Sequence, residues 1–277
     1  MKIIDSHVHV WAEERSNWGF DQERTNLLAV KGSAQYLQKL MFENQVAGAL
    51  IVQPICYRFD HRYLNFVLQK YPKIFKGMCL VDLSDSKSPE MLRDLARQGY
   101  RGVRINPSLT PNNLLNNEIV RNVLEVCIEF DIAAGFLISP DYFKEIEILL
   151  SDFPKAKFII DHFGRCTATQ SLDIPNENFD RLIRLSTFSN LYIKISGWPV
   201  ASQEEWPYSD VGRWIKPLIQ NFGVENLMWG TDFPFIVQQC GYRQGLKLLT
   251  EHVSGINEKE IEWLLGKTSE KVFGIWK

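Results

Sequence analysis

The sequence predicts an α/β protein, a single (β/α)8 TIM barrel with a C-terminal helical extension, and three observations carry that expectation. Eight short runs rich in apolar and β-branched residues recur along the 277 residues, roughly 25 to 45 residues apart. Amphipathic segments of helical period lie in the gaps between them. Most of the runs are almost continuously apolar, as parallel strands covered on both faces are. Strict strand–helix alternation argues for a parallel sheet with helices outside it, and eight units suit a closed barrel.

The first run is residues 2–5 (KIID), extended by the alternating stretch Asp5-Ser6-His7-Val8-His9. A long segment from Trp11 to about Gly32 follows and carries Trp11, Trp18 and Phe20, enough apolar surface to cover a pocket. Tyr36, Leu37, Leu40 and Met41 then line one helix face ahead of run two, residues 49–53 (ALIVQ). Leu64, Val67, Leu68 and Tyr71 line the next, stopped by Pro72 before run three, 77–82 (GMCLVD). Lys87-Ser88-Pro89-Glu90 reads as a helix start, since proline is tolerated in the first turn, and run four is 102–106 (GVRIN). Val120, Val123, Leu124, Cys127 and Ile128 precede run five, 133–138 (AAGFLI). Ile146, Leu149 and Leu150, closed by Pro154, precede run six, 157–162 (KFIIDH). Runs seven and eight are 191–196 (LYIKIS) and 227–232 (LMWGTD). Residues 257–277 are expected to form one or two terminal helices packed on the outside of the barrel. No GxGxxG follows the first run, which counts against a doubly wound open sheet. No linker, repeat or low-complexity stretch divides the chain, so residues 1–277 are expected to form one domain.

Thirty-one Lys and Arg stand against 33 Asp and Glu, a net charge of −2, which gives no reason to expect a nucleic-acid or membrane partner. The start MKIID lacks signal-peptide architecture, and no apolar run reaches the roughly 18 residues of a membrane span. Five scattered cysteines without a CxxC pair fit a reducing compartment, so a cytoplasmic location is expected. Association into a homo-oligomer is left open by the sequence.

The polar residues at strand ends carry the chemistry. Alternation along a strand puts Asp5, His7 and His9 on one face, which in a barrel would be the interior at the carboxyl end. Two buried imidazoles need a metal or hydrogen-bond partners. His162 closes run six, Asp232 closes run eight within Gly230-Thr231-Asp232-Phe233-Pro234, and Arg104 lies in run four; all would point at one mouth.

The DxHxH start (Asp5, His7, His9), the DHFG segment (His162) and GTDFP (Asp232) resemble the amidohydrolase superfamily, and the resemblance spans essentially the whole chain. It is closest to the shorter branch of sugar-lactone and pyrone-dicarboxylate lactonases, whose HxHxW start is matched at Trp11. Gly266-Lys267-Thr268 to Gly274 loosely matches that family's closing helix. Arg165-Cys166 stands where that branch commonly has Lys/Arg-Pro. Run five has neither histidine nor lysine, so a binuclear metal site is not expected. The resemblance implies lactone hydrolysis with Asp232 as general base and His7, His9 and His162 polarising the carbonyl. It leaves two states open: one divalent metal, zinc or manganese, held by His7, His9, Asp232 and His162, or none. Arg104 and Arg165 are the cations expected to bind a carboxylated small molecule, Gln53 to orient a hydroxyl and Trp198 to wall the ring. Asn106 shares the hydroxyl role with Gln53, Tyr57 and Arg58 follow run two near the pocket, and His61 is expected at the surface. A metal-dependent decarboxylase of unsaturated or aromatic acids is the alternative, and a barrel that binds without turnover is a third.

Overall fold

Apolar runs that must satisfy their backbone groups away from water pair with one another, and here all eight do so in parallel. The structure is a computed structural model and describes residues 1–14, 17–20, 30–169 and 176–276. The strands are β1 (Ile3–Val8), β2 (Val46–Val52), β3 (Phe75–Leu80), β4 (Gly102–Ile105), β5 (Ala133–Phe136), β6 (Lys157–Ile160), β7 (Leu191–Ile195) and β8 (Leu227–Trp229), in that spatial order. A parallel bridge between Val8 and Phe233 joins the two ends, with His9 N donating to Phe233 O at 2.7 Å and Asp232 N to His7 O at 2.9 Å. The sheet is therefore a nearly closed TIM barrel.

Helices fill the gaps: periodicity predicts α1 (Ala34–Glu43), α2 (Arg62–Lys70), α4 (Glu118–Glu129) and α5 (Phe143–Asp152), the start signal predicts α3 (Ser88–Arg97), and α6 (Glu177–Arg184) lies in a gap for which only the spacing left room. Ser33, Asn117 and Asn176 cap α1, α4 and α6 by accepting from the backbone N–H of Tyr36, Val120 and Phe179. Helix Ile215–Phe222 precedes β8, and helices Phe235–Gln239 and Tyr242–Glu251 follow it. The outward strand residues, such as Ile51, Val103 and Phe136, pack with these helices in the larger apolar core.

A second, smaller core lies inside the barrel, where Ile4, Leu50, Met78, Ala133, Ile159 and Met228 meet. Val272, Phe273 and Trp276 belong to it: Ile261, Leu264 and Leu265 before them pack with the outer core as expected, whereas this last part of the 257–277 segment does not pack on the barrel's outside. It closes the floor at the amino ends of the strands. The reason is chemical: strands of three to seven residues leave the bottom of the barrel unfilled, and the apolar residues of helix Thr268–Phe273 and Trp276 fill it. The indole N–H of Trp276 donates to Ile74 O at 3.0 Å, and Lys76 Nζ donates to the carbonyls of Phe273 (2.9 Å) and Gly274 (2.8 Å). Gly48 is required by this plug, because a Cβ there would come within 2.2 Å of the Trp276 ring.

Of the long first loop, residues 15–16 and 21–29 lie outside the described residues. Trp18 packs on Tyr63 and Phe66 (ring centroids 5.3 Å apart in both cases) and Phe20 on Tyr57 at 5.5 Å, which places both rings against α2 and the turn before it. Trp11 alone of the three reaches the cavity described below.

Removing the plug tests the floor. Trp276→Ala is expected to cost about 3–5 kcal/mol, the range for a truncated buried aromatic, read as a lower urea midpoint; a loss below 1 kcal/mol would mean that the floor carries no stability.

Candidate active site

The site begins with a fault in strand pairing. Between Asp5 and Val8 the register slips: three steps along β1 correspond to two along β2, from Ala49 to Ile51. This bulge breaks the alternation on which the sequence reading relied. Ile4 points into the barrel, whereas the Asp5 carboxylate points to the outer layer, where Tyr242 donates its hydroxyl to it at 3.0 Å. Asp5 therefore does not share a face with His7 and His9. It ties β1 to the β8 end instead, accepting from Thr231 N (2.9 Å), Thr231 Oγ1 (2.6 Å) and His7 N (3.2 Å). Burial raises its pKa to about 6 against the pull of these donors. The residue gained at the bulge turns His7 inward, beside His9.

Inside, Asp161 is the centre of a buried charge cluster. Its carboxylate pairs with Arg104 Nε of β4 (3.0 Å), Lys194 Nζ of β7 (3.1 Å) and His7 Nδ1 (3.4 Å). Burial alone would raise its pKa, but Lys194, His7 and Arg104 together hold it well below the ordinary carboxylate range. Burial and the neighbouring Lys194 hold His7 well below the ordinary imidazole value, burial lowers His9 to about 4, and burial lowers His162 and Lys194 as well. At neutral pH the three imidazoles are neutral.

Each imidazole is anchored through Nδ1: His7 by Lys194 (3.0 Å), His9 by Val52 O (2.8 Å) and His162 by Ser196 Oγ (2.9 Å). Their Nε2 edges are left for the site. The Nε2 atoms of His7 and His9 are 3.3 Å apart, and the rings of His7 and His162 are 4.5 Å apart centre to centre. Asp232 faces them, with Oδ1 at 3.5 Å from His9 Nε2 and 3.8 Å from His7 Nε2; that oxygen is buried and has no hydrogen-bond partner.

Backbone strain places two of these side chains. Asp232 sits at φ 61°, and four consecutive residues, His162 to Arg165, have φ between 53° and 63°. Left-handed conformation at non-glycine residues costs about 1–3 kcal/mol each and persists where surrounding structure imposes it. Gly197 makes room for the turn: a Cβ there would stand 2.9 Å from His162 Nδ1.

Above the cluster lies a cavity of about 550 Å3 whose wall includes His9, Gln53, Arg104, His162, Arg165 and Asp232. Gln53 is fixed by donating Nε2 to Asp60 O (2.8 Å) and Arg58 O (3.2 Å). Arg165 is exposed at the rim, and Asn106 lines the wall while capping Ser108 N at 3.0 Å. Trp198 stands apart from this wall. It is 2% exposed and packs edge-on against Phe163, 5.9 Å away, because the left-handed Gly197 turns the chain toward the helix layer. Tyr57 is buried and accepts from Ala12 N at 2.8 Å, and His61 is buried rather than at the surface, accepting from Leu80 N at 3.3 Å.

The amidohydrolase family profile matches residues 4–275. The chain belongs to the amidohydrolase family. It is 22% identical over 238 residues to L-fucono-1,5-lactonase of Burkholderia ambifaria, covering 83% of this chain and 80% of that one. Two solved structures share the fold across 99% of this chain and all of theirs. One is a probable 2-pyrone-4,6-dicarboxylic acid hydrolase of Acinetobacter baumannii with citric acid bound, 20% identical with a TM-score of 0.82. The other is an amidohydrolase of Burkholderia multivorans with bound zinc, 17% identical with a TM-score of 0.83.

The donor set of this amidohydrolase fits a divalent ion. His7, His162 and Asp232 offer ligand atoms that all lie within 4.8 Å of one another, and His9 Nε2 adjoins them. Nitrogen and carboxylate donors with their far sides anchored are the ordinary make-up of a zinc site. Strand β5 adds no ligand: Gly135 packs on Met78, and Leu137 lines the cavity.

Sequence reasoning missed three members of the site: Asp161, Lys194 and Ser196. The signal was there for two of them, since Lys194 and Ser196 alternate at the end of the otherwise apolar LYIKIS, where a charge buried on both sides needs a partner. Replacing Asp161 by Asn would leave Lys194 and Arg104 short of their counter-charge, and about 3–5 kcal/mol of destabilisation is expected. The depressed pKa of Asp161 gives the sign of the pH effect. Its stabilisation is present above the unfolded carboxyl value near 4 and is lost as pH falls below it. The parent should therefore lose stability on acidification below pH 4 by more than Asp161→Asn does; parallel urea midpoints down to pH 3 would contradict this.

Proposed function

We propose that this chain hydrolyses a small lactone, with Asp232 as the general base. The observation that carries the proposal is the Asp232 Oδ1 atom: a buried carboxylate oxygen without a hydrogen-bond partner, at the cavity wall and facing three imidazole edges. A water between that oxygen and the cavity would be deprotonated as it attacks the lactone carbonyl. The ring C–O bond then breaks as the departing oxygen takes the proton held by Asp232, which restores the carboxylate, and the hydroxy acid formed ionises at neutral pH with net release of one proton. His162 and the guanidinium of Arg104, both on the cavity wall, supply positive edges to the oxyanion. The names of the relatives, a fuconolactonase and a probable pyrone-dicarboxylate hydrolase, support a lactone as substrate.

His7, His9, His162 and Asp232 would hold one divalent ion, zinc or manganese, and when bound it supplies Lewis acidity at the carbonyl. Arg104 and Arg165 suit a carboxylate on the substrate, and Gln53 a hydroxyl. Leu137 at the mouth end of β5 offers no further ligand of the kind a metal-dependent decarboxylase would use. Residues 1–277 are taken as one domain acting in the cytoplasm on a small molecule. Among the described residues, no helix is long and apolar enough to cross a membrane.

A pH-indicator assay in weak buffer tests the proposal on aldonolactones, pyrone carboxylates and unsaturated or aromatic acids, with and without added zinc or manganese. Acid release from a lactone is expected. Asp232→Asn should lower kcat by about 10²- to 10⁴-fold with a cooperative unfolding transition retained. Turnover within threefold of the parent would remove Asp232 from the role of base, and proton uptake on an acid would indicate decarboxylation instead.

A further inference from the structure

We propose that Gln53 selects a lactone that carries a ring hydroxyl, and selects against pyrone-type lactones whose substituents are carboxylates alone. The inference rests on the lactone-hydrolase reading and concerns which lactone the same cavity takes. Gln53 directly follows β2, is fully buried and lines the cavity. Its Nε2 reaches two backbone carbonyls of the turn after β2, Asp60 O at 2.8 Å and Arg58 O at 3.2 Å. A carbonyl only accepts, so the amide nitrogen must be the atom on that side; turned over, the amide would set its oxygen against two others. Both amide protons are thereby taken. Oε1, on the other edge of the amide, is buried and has no hydrogen-bond partner among the described residues. It is the polar atom that Gln53 offers to the cavity, and it can only accept.

Asn106, which follows β4, is fixed the other way round. Its Oδ1 accepts from Ser108 N at 3.0 Å, which leaves its amide N–H groups as donors to the cavity that it also lines. A hydroxyl both donates and accepts, and so suits a wall with one fixed acceptor and one fixed donor; a carboxylate only accepts. Water can serve Gln53 Oε1 while the cavity is open. A ligand that displaces the water without supplying a donor leaves a buried oxygen bare, which is how a site built for a hydroxyl rejects an analogue lacking it. Charge points the same way. Among the described residues two arginines line the cavity; Arg104 is already paired with Asp161 through Nε at 3.0 Å, and Arg165 lies exposed at the rim. They suit one carboxylate on the substrate, whereas a pyrone dicarboxylate presents two.

The parent chain is assayed on aldonolactones, on the same lactones lacking single hydroxyls, and on a pyrone dicarboxylate. Removal of one ring hydroxyl is expected to lower kcat/KM by about tenfold or more, and the pyrone to stand below the aldonolactones. No loss with any deoxy lactone, or a preference for the pyrone, would overturn the proposal, and this series stands whether or not a variant folds. In Gln53→Met, which removes the acceptor, the ratio of kcat/KM between the aldonolactone and that deoxy lactone should shrink to about threefold or less; an unchanged ratio would overturn the assignment to Gln53. Spectra of the parent labelled with ¹⁵N-glutamine give a reading that needs no turnover. Both Gln53 amide protons, identified by the signals missing from Gln53→Met, should be protected from exchange with water. An anhydroalditol, a ring polyol that cannot be hydrolysed, should move these signals, and tetrahydropyran without hydroxyls should not. Rapid exchange of either proton, or equal movement or none with the two ethers, would overturn the proposal. If no lactone is hydrolysed, the hydrolase proposal fails and these spectra still decide the role of Gln53.

Discussion

Asp161 is the constraint on which the rest of the site depends. One buried carboxylate ties together β4 through Arg104, β7 through Lys194 and β1 through His7, while its own chain leads straight into the turn that carries His162. Two cations inside a barrel are tolerable only with a counter-charge at contact distance, and a neutral imidazole is oriented only if one nitrogen has a fixed partner. Strands remote in sequence thus have their polar ends held in one arrangement by a single group. The cavity's reactive face is the outer surface of this cluster.

The second requirement is that the two ends of the sheet meet in a particular way. Asp5, turned outward by the bulge, grips Thr231 and Tyr242 on the far side of the seam, and Asp232 N is bonded to His7 O. Asp232, the proposed base, and the first histidine therefore share a short covalent and hydrogen-bonded path. A base that must stay within a few tenths of an ångström of its water benefits from such a mounting, and the left-handed backbone at His162 and Asp232 is held by the same neighbours.

What was legible in the sequence follows from what leaves a periodic trace. Eight apolar runs and the helices between them are written in spacing, and all eight strands fall at or beside those runs. His7, His9, His162, Arg104 and Asp232 were legible because a polar side chain at the end of an apolar strand has few reasons to be there, and the structure brings all five to one place. The bulge was not legible, since one extra residue in β1 leaves the pattern DSHVH looking like plain alternation; this is why Asp5 came out on the wrong face. Lys194 was hidden by the same habit, as a lysine in a strand looks like a solvent-facing residue until the strand is known to be covered on both sides. Trp198 looked like a ring-binding wall because aromatic residues after strands often are, whereas the left-handed Gly197 before it sends the indole into the helix layer.

The floor of the barrel has a consequence for how the protein is made. Val272, Phe273 and Trp276 follow Ile4 and Leu50 by more than 200 residues, yet they complete the inner core to which both belong. Until they are synthesised, a nascent chain that already holds all eight strands has an open apolar well at its base and no plug for it. Chaperone dependence during synthesis should be concentrated in that interval.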